Sequence, residues 1–420
     1  MGSVLAMPTV ELTSDYFGYF KGGTDGAGDQ HLLRADLKLK FEGRIGENLA
    51  YLVTPQIRQG TGDNWVNTFE FRESGERRSL ATFHEAYLEW LGETVQVSVG
   101  KRIFNWAVSD AYHPLDDLNP RDFLDVPTNE RIGVPALSLY HLNKHVEFQA
   151  VWEPWFTPSR IPVRLDNRWR GDFRSQQRRV SAQLGFPVQF SYAGRNLPDD
   201  RFENGQLGLR LSSSTLVSGW DLALTYFRGR HPEGVFVGAL VGNTLVATLE
   251  YPRYQEIGAS FSTVVGPWQV HGEGAWHLTD IEVLDDDFLE YVVGVNRSFS
   301  DVPLPVVEEI RLVAEYAGQV VTRGLPGRSG SFGSRQFSRP FEDAVAGSVT
   351  FKFSESTELE VSGAYDFADA GSIMEASLRH EFSDNIAAEF GSSFLSGPAD
   401  SFFGKWDAND RIFLTVDVRY

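Results

Sequence analysis

The sequence contains no cysteine in 420 residues. That excludes disulfides, iron–sulfur clusters, covalently attached haem and thiol catalysis. It also suits a chain that crosses an oxidising compartment, where stray thiols would mispair. Long apolar runs are missing as well. No stretch approaches the ~20 consecutive apolar residues of a membrane helix, and the mean hydropathy is -0.25. A bundle of membrane helices is excluded. Basic residues are in deficit, with 38 Lys and Arg against 57 Asp and Glu and a net charge of -19. That balance opposes nucleic-acid binding, which needs cations to neutralise phosphates. The segment Met1–Met7 lacks the basic and apolar regions of an intact signal peptide, so the chain reads as a mature sequence with an added start Met. Neither a G-x-S-x-G nucleophile elbow nor a Gly-rich phosphate loop occurs. The expectation is a non-enzyme with no cofactor and no resident metal.

Aromatic and small residues are in excess: 31 Phe, 14 Tyr, 10 Trp and 40 Gly. Aromatics favour strands, and period-2 alternation recurs along the chain. Ile412, Leu414, Val416, Val418 and Tyr420 alternate with Arg411, Phe413, Thr415, Asp417 and Arg419. Leu33, Ala35, Leu37, Leu39 and Phe41 alternate with Arg34, Asp36, Lys38, Lys40 and Glu42. A wall with lipid on one side and water on the other requires this pattern. Such segments number about 18, or about 16 at the lower count, each of roughly ten residues. Their cores begin near Leu12, Leu32, Leu49, Leu80, Val95, Ala136, Val146, Gln206, Trp220, Glu256, Trp268, Leu289, Glu309, Ala344, Glu358, Ser372, Ile386 and Arg411. The alternation is weakest near Ala136 and Leu289.

The connections alternate between short and long. Gly43–Glu47, Gly92–Glu93 and Val265–Pro267 are short. Gly60–Arg77, Asn105–Gly133, Glu153–Asn204, Gly229–Tyr254 and Thr322–Pro340 are long. One-sided long loops mark an up-and-down membrane barrel. The expected fold is therefore all-β: one transmembrane antiparallel β-barrel domain over residues 1–420, with long extracellular loops and short periplasmic turns. The loops 105–133 and 153–204 are candidates for a constriction or a lid. A soluble sandwich also alternates, but would not keep a charged face in nearly every strand.

Trp90, Trp268, Trp276, Phe299, Phe353 and Phe382 fall near strand ends, where interfacial girdles sit. The final strand closes on Tyr420 after Ile412–Arg419, and resembles the C-terminal insertion signal of Gram-negative outer-membrane proteins. Gly100-Lys101-Arg102-Ile103-Phe104-Asn105-Trp106 with Asn119-Pro120-Arg121-Asp122 resembles a large family of bacterial porin-like barrels. So does Gly205–Arg210 with Ser218–Tyr226. The resemblance implies residence in the bacterial outer membrane, contact with its lipid and lipopolysaccharide, and passage of small hydrophilic solutes. It carries no catalytic residues.

With the charged face inward, the lumen would be lined by Arg34, Lys38, Lys40, Arg58, Arg102, Arg411 and Arg419 on one wall. Glu358, Glu360, Asp366, Glu375, Glu381 and Glu389 would line the facing wall. Charges paired across strands give the same composition without any selectivity role. The loop 153–204 concentrates Arg160, Arg164, Arg168, Arg170, Arg174, Arg178, Arg179 and Arg195. Arginine forks suit carboxylate, phosphate or sulfate. Anion recruitment is one reading of this cluster. Docking on lipopolysaccharide phosphates, or pairing with the acidic segment Asp110–Asp125, are others. His271, Glu273 and His277 share one strand face but lack a third ligand nearby. Asp280, Glu282 and Asp285–Asp287 lack the Gly-bearing spacing of a calcium loop. The expected function is a channel for small hydrophilic, anion-favoured solutes. The alternatives are a sheath around a periplasmic multihaem cytochrome, or an exporter of an acidic polysaccharide.

Overall fold

Antiparallel pairing runs unbroken around the whole chain. The barrel strands are β1 (Thr9–Tyr19), β2 (His31–Ile45), β3 (Leu49–Gly60), β4 (Arg78–Leu91), β5 (Val95–Arg102) and β6 (Val134–Leu142). They continue as β7 (Glu147–Glu153), β8 (Gln206–Ser213), β9 (Trp220–Arg230), β10 (Arg253–Val265), β11 (Trp268–Thr279) and β12 (Asp287–Phe299). The last six are β13 (Glu309–Arg323), β14 (Asp343–Ser354), β15 (Thr357–Asp366), β16 (Ser372–Ser383), β17 (Ile386–Ser396) and β18 (Arg411–Arg419). This computed structural model describes residues 8–22, 29–62, 64–164, 167–170, 173–280, 286–300, 302–324 and 339–420.

Each strand pairs with its neighbour in sequence, and β1 also pairs with β18, which closes an 18-strand barrel. At the seam the Val10 N–H donates to the Tyr420 carbonyl at 2.8 Å, and the Tyr420 N–H returns to Val10 at 2.9 Å. Closure matters because an open sheet edge would leave backbone donors without partners in hydrocarbon. Seventeen of the eighteen expected core starts lie on these strands, and Val146 stands one residue before β7. A further strand, Trp65–Phe69, adds in parallel to the outer end of β4.

The alternation sorts the side chains. Leu33, Ile57, Val99, Leu224, Val293, Phe390 and Leu414 are exposed on the outer wall. Their sequence neighbours face the lumen. Trp90, Trp276 and Phe382 are exposed near strand ends, and Trp268 meets Phe299 edge-on at 6.3 Å. Among the described residues no helix is long and apolar enough to cross a membrane.

The buried apolar residues lie inside the barrel and over its outer mouth. One cluster joins Phe17 and Tyr19 of β1 to Val126, Trp169, Phe341, Phe402 and Trp406 from the long connections. A second packs Phe104, Trp106 and Leu118 against Val134, Val151, Phe227 and Tyr254. The third lies under a small sheet in which Gln189–Asn196 pairs with Thr244–Glu250, and that strand with Val235–Val241. The connection Gly229–Tyr254, expected as a loop, is thus built around a hairpin.

Candidate functional site

The connection between β5 and β6 leaves the wall and runs through the lumen. Two glutamates of the opposite wall hold it. Glu273 on β11 accepts the Val108 N–H at 2.7 Å and the Ser109 hydroxyl at 2.8 Å. Glu315 on β13 accepts the N–H groups of Asp110 at 2.6 Å and Ala111 at 2.9 Å, and lies 2.9 Å from Nε2 of His271. Further along, Asp125 takes Arg411 of β18 at 2.8 Å, and Glu130 takes Lys38 of β2 at 3.2 Å. Asn119 closes the loop on itself, accepting the Phe104 N–H and donating to the Ile132 carbonyl. Pro114, Pro120 and Pro127 stiffen the path, since each fixes its own φ.

An ion network ties this inner loop to two others. Glu73 follows β3 and holds a left-handed backbone, φ 56°. Its carboxylate receives Arg58, Lys101 at 2.5 Å and Arg160 at 3.1 Å. Asp122 takes the fork of Arg78 at 2.8 and 2.9 Å and Arg160 at 3.0 Å. Burial alone would raise both acids, but the surrounding cations outweigh it and hold each well below the usual carboxylate range. Two fully ionised acids with satisfied hydrogen bonds can therefore sit in a dry site.

The described residues 154–164 and 167–170 then run over the outer mouth to the far arc. Arg160 forms a parallel bridge with Asp122. Arg168 donates to the carbonyls of Asp29 at 3.0 Å and Ala408 at 3.2 Å, and lies 3.7 Å over the Tyr19 ring. Trp406 donates to the Trp169 carbonyl at 2.8 Å. This strap starts at β7 and ends against the connections of β1 and β18.

Beside the inner loop a cavity of about 500 Å³ remains, bounded by β12 to β16. Its charged lining is Asp110, Asp117, Glu233, Glu290, Glu360 and Glu375, with one ion pair, Asp116 and Arg121, in which Asp116 also takes Arg131 from outside the lining. Burial, with Arg121 and Arg131 nearby, pushes His113 down to about 4, so it adds no charge at neutral pH. Burial and the charge of Asp117 push Glu233 up to about 7.

No family model matches the chain, and no curated protein matches it in sequence. Solved structures do. A BenF-like porin from Pseudomonas fluorescens Pf-5 superposes with TM-score 0.56 at 8% identity, covering 99% of this chain and 98% of that one. OccK5 (OpdH) from Pseudomonas aeruginosa gives 0.54 at 9%, covering 98% and 96%. OccAB4 from Acinetobacter baumannii gives 0.53 at 10%, covering 99% and 98%. The chain has the closed β-barrel fold of these proteins. At these identities the likeness is one of fold. The closed wall and its apolar outer face make this porin-like chain an integral membrane protein.

Within the porin-like barrel, the residues singled out in the sequence do face inward. Arg34 pairs with Asp15 at 2.7 Å, Lys40 with Glu42 at 2.9 Å and Arg102 with Glu89 at 2.9 Å. Arg419 is exposed, 3.9 Å from Glu11. Glu358 lies opposite Arg379, which is 3.7 Å from Glu389. Asp366 is buried and caps the Glu342 and Ala368 N–H groups, and Glu375 accepts from Ser393. Glu360 borders the cavity and Glu381 is exposed near a turn. These acidic residues stand on β15 to β17, adjoining β18 and the basic arc. They do not form the wall facing it. The facing arc, β10 to β13, carries Glu256, Glu273, Glu290 and Glu315, all buried.

In the arginine-rich loop, Arg160 and Arg168 are engaged as described, and Arg195 reaches Glu76 at 3.7 Å. Arg164 and Arg170 have partners of their own. Arg178 is exposed on the helix Phe173–Leu184. The side chains of Arg174 and Arg179 lie outside the described residues, as do Glu282 and Asp285. Lys101 was missed in the sequence. Gly100 takes φ 137° at a point where a Cβ would stand 2.2 Å from the Ala86 carbonyl, and the chain irregularity there brings Lys101 into the network. The glycine alone signals such a break.

Proposed function

We propose that the protein is an outer-membrane channel for passive diffusion of small hydrophilic solutes. The observation that carries this reading is the cavity, part acidic and part aromatic, left open beside a tethered inner loop in a closed barrel. Segment 103–133 is the constriction, and residues 154–164 with 167–170 form a strap that holds it in place. An 18-strand barrel is wide enough to need such narrowing. The basic residues from Arg34 to Arg419 and the acidic residues from Glu358 to Glu389 make the wall polar, and their pairing keeps its net charge small.

The anion preference expected from the arginine-rich loop draws little support from Arg160 and Arg168, whose guanidinium groups are spent on protein acceptors. Arg178 at the outer mouth is the described residue that favours it. The acidic cavity lining favours neutral and cationic solutes instead. A sheath for a periplasmic cytochrome, or a duct for an acidic polysaccharide, requires an empty lumen. Two inner connections in the outer half of the lumen support a self-contained channel over either.

The test is liposome swelling. Proteoliposomes placed in iso-osmotic solutions of neutral sugars, amino acids and dicarboxylates should swell at rates that fall with solute size. An absence of swelling with every solute would overturn the reading.

A further inference from the structure

One corner of the cavity is unfinished. Glu290 on β12 borders it and is 3% exposed, and its Oε1 has no hydrogen-bond partner. Its Oε2 stands 3.5 Å from Nε2 of His277. On the other side of that ring, Asp117 Oδ2 stands 3.8 Å from Nδ1, and it too has no hydrogen-bond partner. Both imidazole nitrogens are likewise without one. The ring is stacked between Tyr254 and Phe288, with centroids 5.4 and 4.5 Å away. Arg339 lies over the Phe288 ring and reaches Asp286 at 3.4 Å.

A buried carboxylate with an empty lone pair is costly unless a partner arrives. Beside these acids the lining turns aromatic. Tyr112, which adjoins Glu290, meets Phe341 edge-on at 5.2 Å, and Phe402 and Phe403 continue that wall. Acids and the ring faces next to them are the two elements that recognise an organic cation. The Asp110, His271 and Glu315 group is a weaker cation candidate. Glu315 already spends both oxygens on two N–H groups and on His271.

We propose that the cavity between Glu290, Asp117 and the Tyr112–Phe341 pair is a binding subsite for a solute carrying an ammonium or guanidinium group on a short apolar stem. The inference rests on the channel reading and gives it a substrate class. The head group lies against Glu290, Asp117 adds its negative charge from the far side of the His277 ring, and the stem lies along Tyr112 and Phe341. The remaining carboxylates around the cavity raise the local concentration of cations.

The test uses the full chain with agmatine as probe. Calorimetry on detergent-solubilised protein should show saturable binding, and agmatine should interrupt single-channel current in a planar bilayer. Glu290→Gln and Asp117→Asn should each weaken both effects tenfold or more, while Glu93→Gln in a distant turn leaves them unchanged. Strand circular dichroism and retained KCl conductance show that the variants are folded. Conduction without agmatine binding or block would overturn the subsite and leave the channel standing. Binding without conductance, lost in Glu290→Gln, would keep the subsite and overturn the channel. Unaltered binding in both variants would overturn the placement. Calcium binding that displaces agmatine and is lost in the same variants would overturn the organic class in favour of a divalent cation.

Discussion

Arg160 lies between Glu73 and Asp122, with its guanidinium 3.1 Å from one carboxylate and 3.0 Å from the other. Glu73 belongs to the connection after β3, Asp122 to the inner loop and Arg160 to the strap. One side chain therefore joins three connections that are far apart in sequence. Removing one member of a buried ion pair costs ~3–5 kcal/mol, because the remaining charges are left without compensation. Arg160 itself belongs to the strap and not to a wall strand, so the cost of losing it should fall on the connections. Arg160→Ala is expected to raise single-channel conductance and to speed protease cleavage within 154–170 in proteoliposomes. The barrel's strand signal by circular dichroism should stay unchanged. An unchanged conductance with an intact strap would refute the locking role.

Glu273 and Glu315 are expected to hold the inner loop against the wall. Each accepts two hydrogen bonds from the loop. Hydrogen bonds to a charged group contribute ~1.5–3 kcal/mol apiece. The double variant Glu273→Gln, Glu315→Gln should release segment 108–111 and widen the passage. Swelling rates for larger sugars would then rise more than those for small ones. A uniform change across sizes would point to a different cause.

Selectivity should depend on pH near neutrality. Glu233 is pushed up to about 7 by burial and by the charge of Asp117, so the cavity gains a negative charge as the pH rises through that value. His113 is held at about 4 and stays neutral throughout. The ratio of cation to anion permeability, read from reversal potentials between pH 5 and 9, should climb with a midpoint near 7. Glu233→Gln should flatten the climb. The same shift bears on stability. A carboxyl raised on folding contributes most below its unfolded value of ~4.3, and that contribution is lost as the pH rises through the folded value.

Trp169 and Trp406 anchor the far end of the strap. Both are almost fully buried, and their rings meet at 6.1 Å with an interplanar angle of 70°. Truncating a buried aromatic to Ala costs ~3–5 kcal/mol. Trp406→Ala also removes the donor to the Trp169 carbonyl. Recordings of this variant should show frequent transient steps between conductance levels, against a steadier wild type. Steady current in the variant would mean that the strap is held elsewhere.

The wall was legible in the sequence because each strand states its own orientation through period-2 alternation. It weakened where the lumen side is apolar. Val292 on β12 faces the inner hydrophobic cluster, and Ala136 on β6 faces Phe104 and Trp106, so neither strand keeps an unbroken polar face. Pairing of the arginine-rich loop with Asp110–Asp125 was one reading of the composition, and Arg160 with Asp122 realises it. The inner path was not legible. Val108 meets a carboxylate 165 residues away, Asp110 one 205 residues away, and Asp125 meets Arg411 across 286 residues. No local pattern encodes such contacts. The buried acids of β10 to β13 were readable as polar-face positions, but their strands also carry His271 and His277, which suggested a different chemistry.

The most direct measurement is single-channel conductance of the purified full chain in a planar bilayer under a KCl gradient. A steady open conductance, with a reversal potential displaced toward cation selectivity, is the expected result. Insertion without any conductance, across voltages of both signs, would contradict the channel and leave a barrel sealed by its own loops.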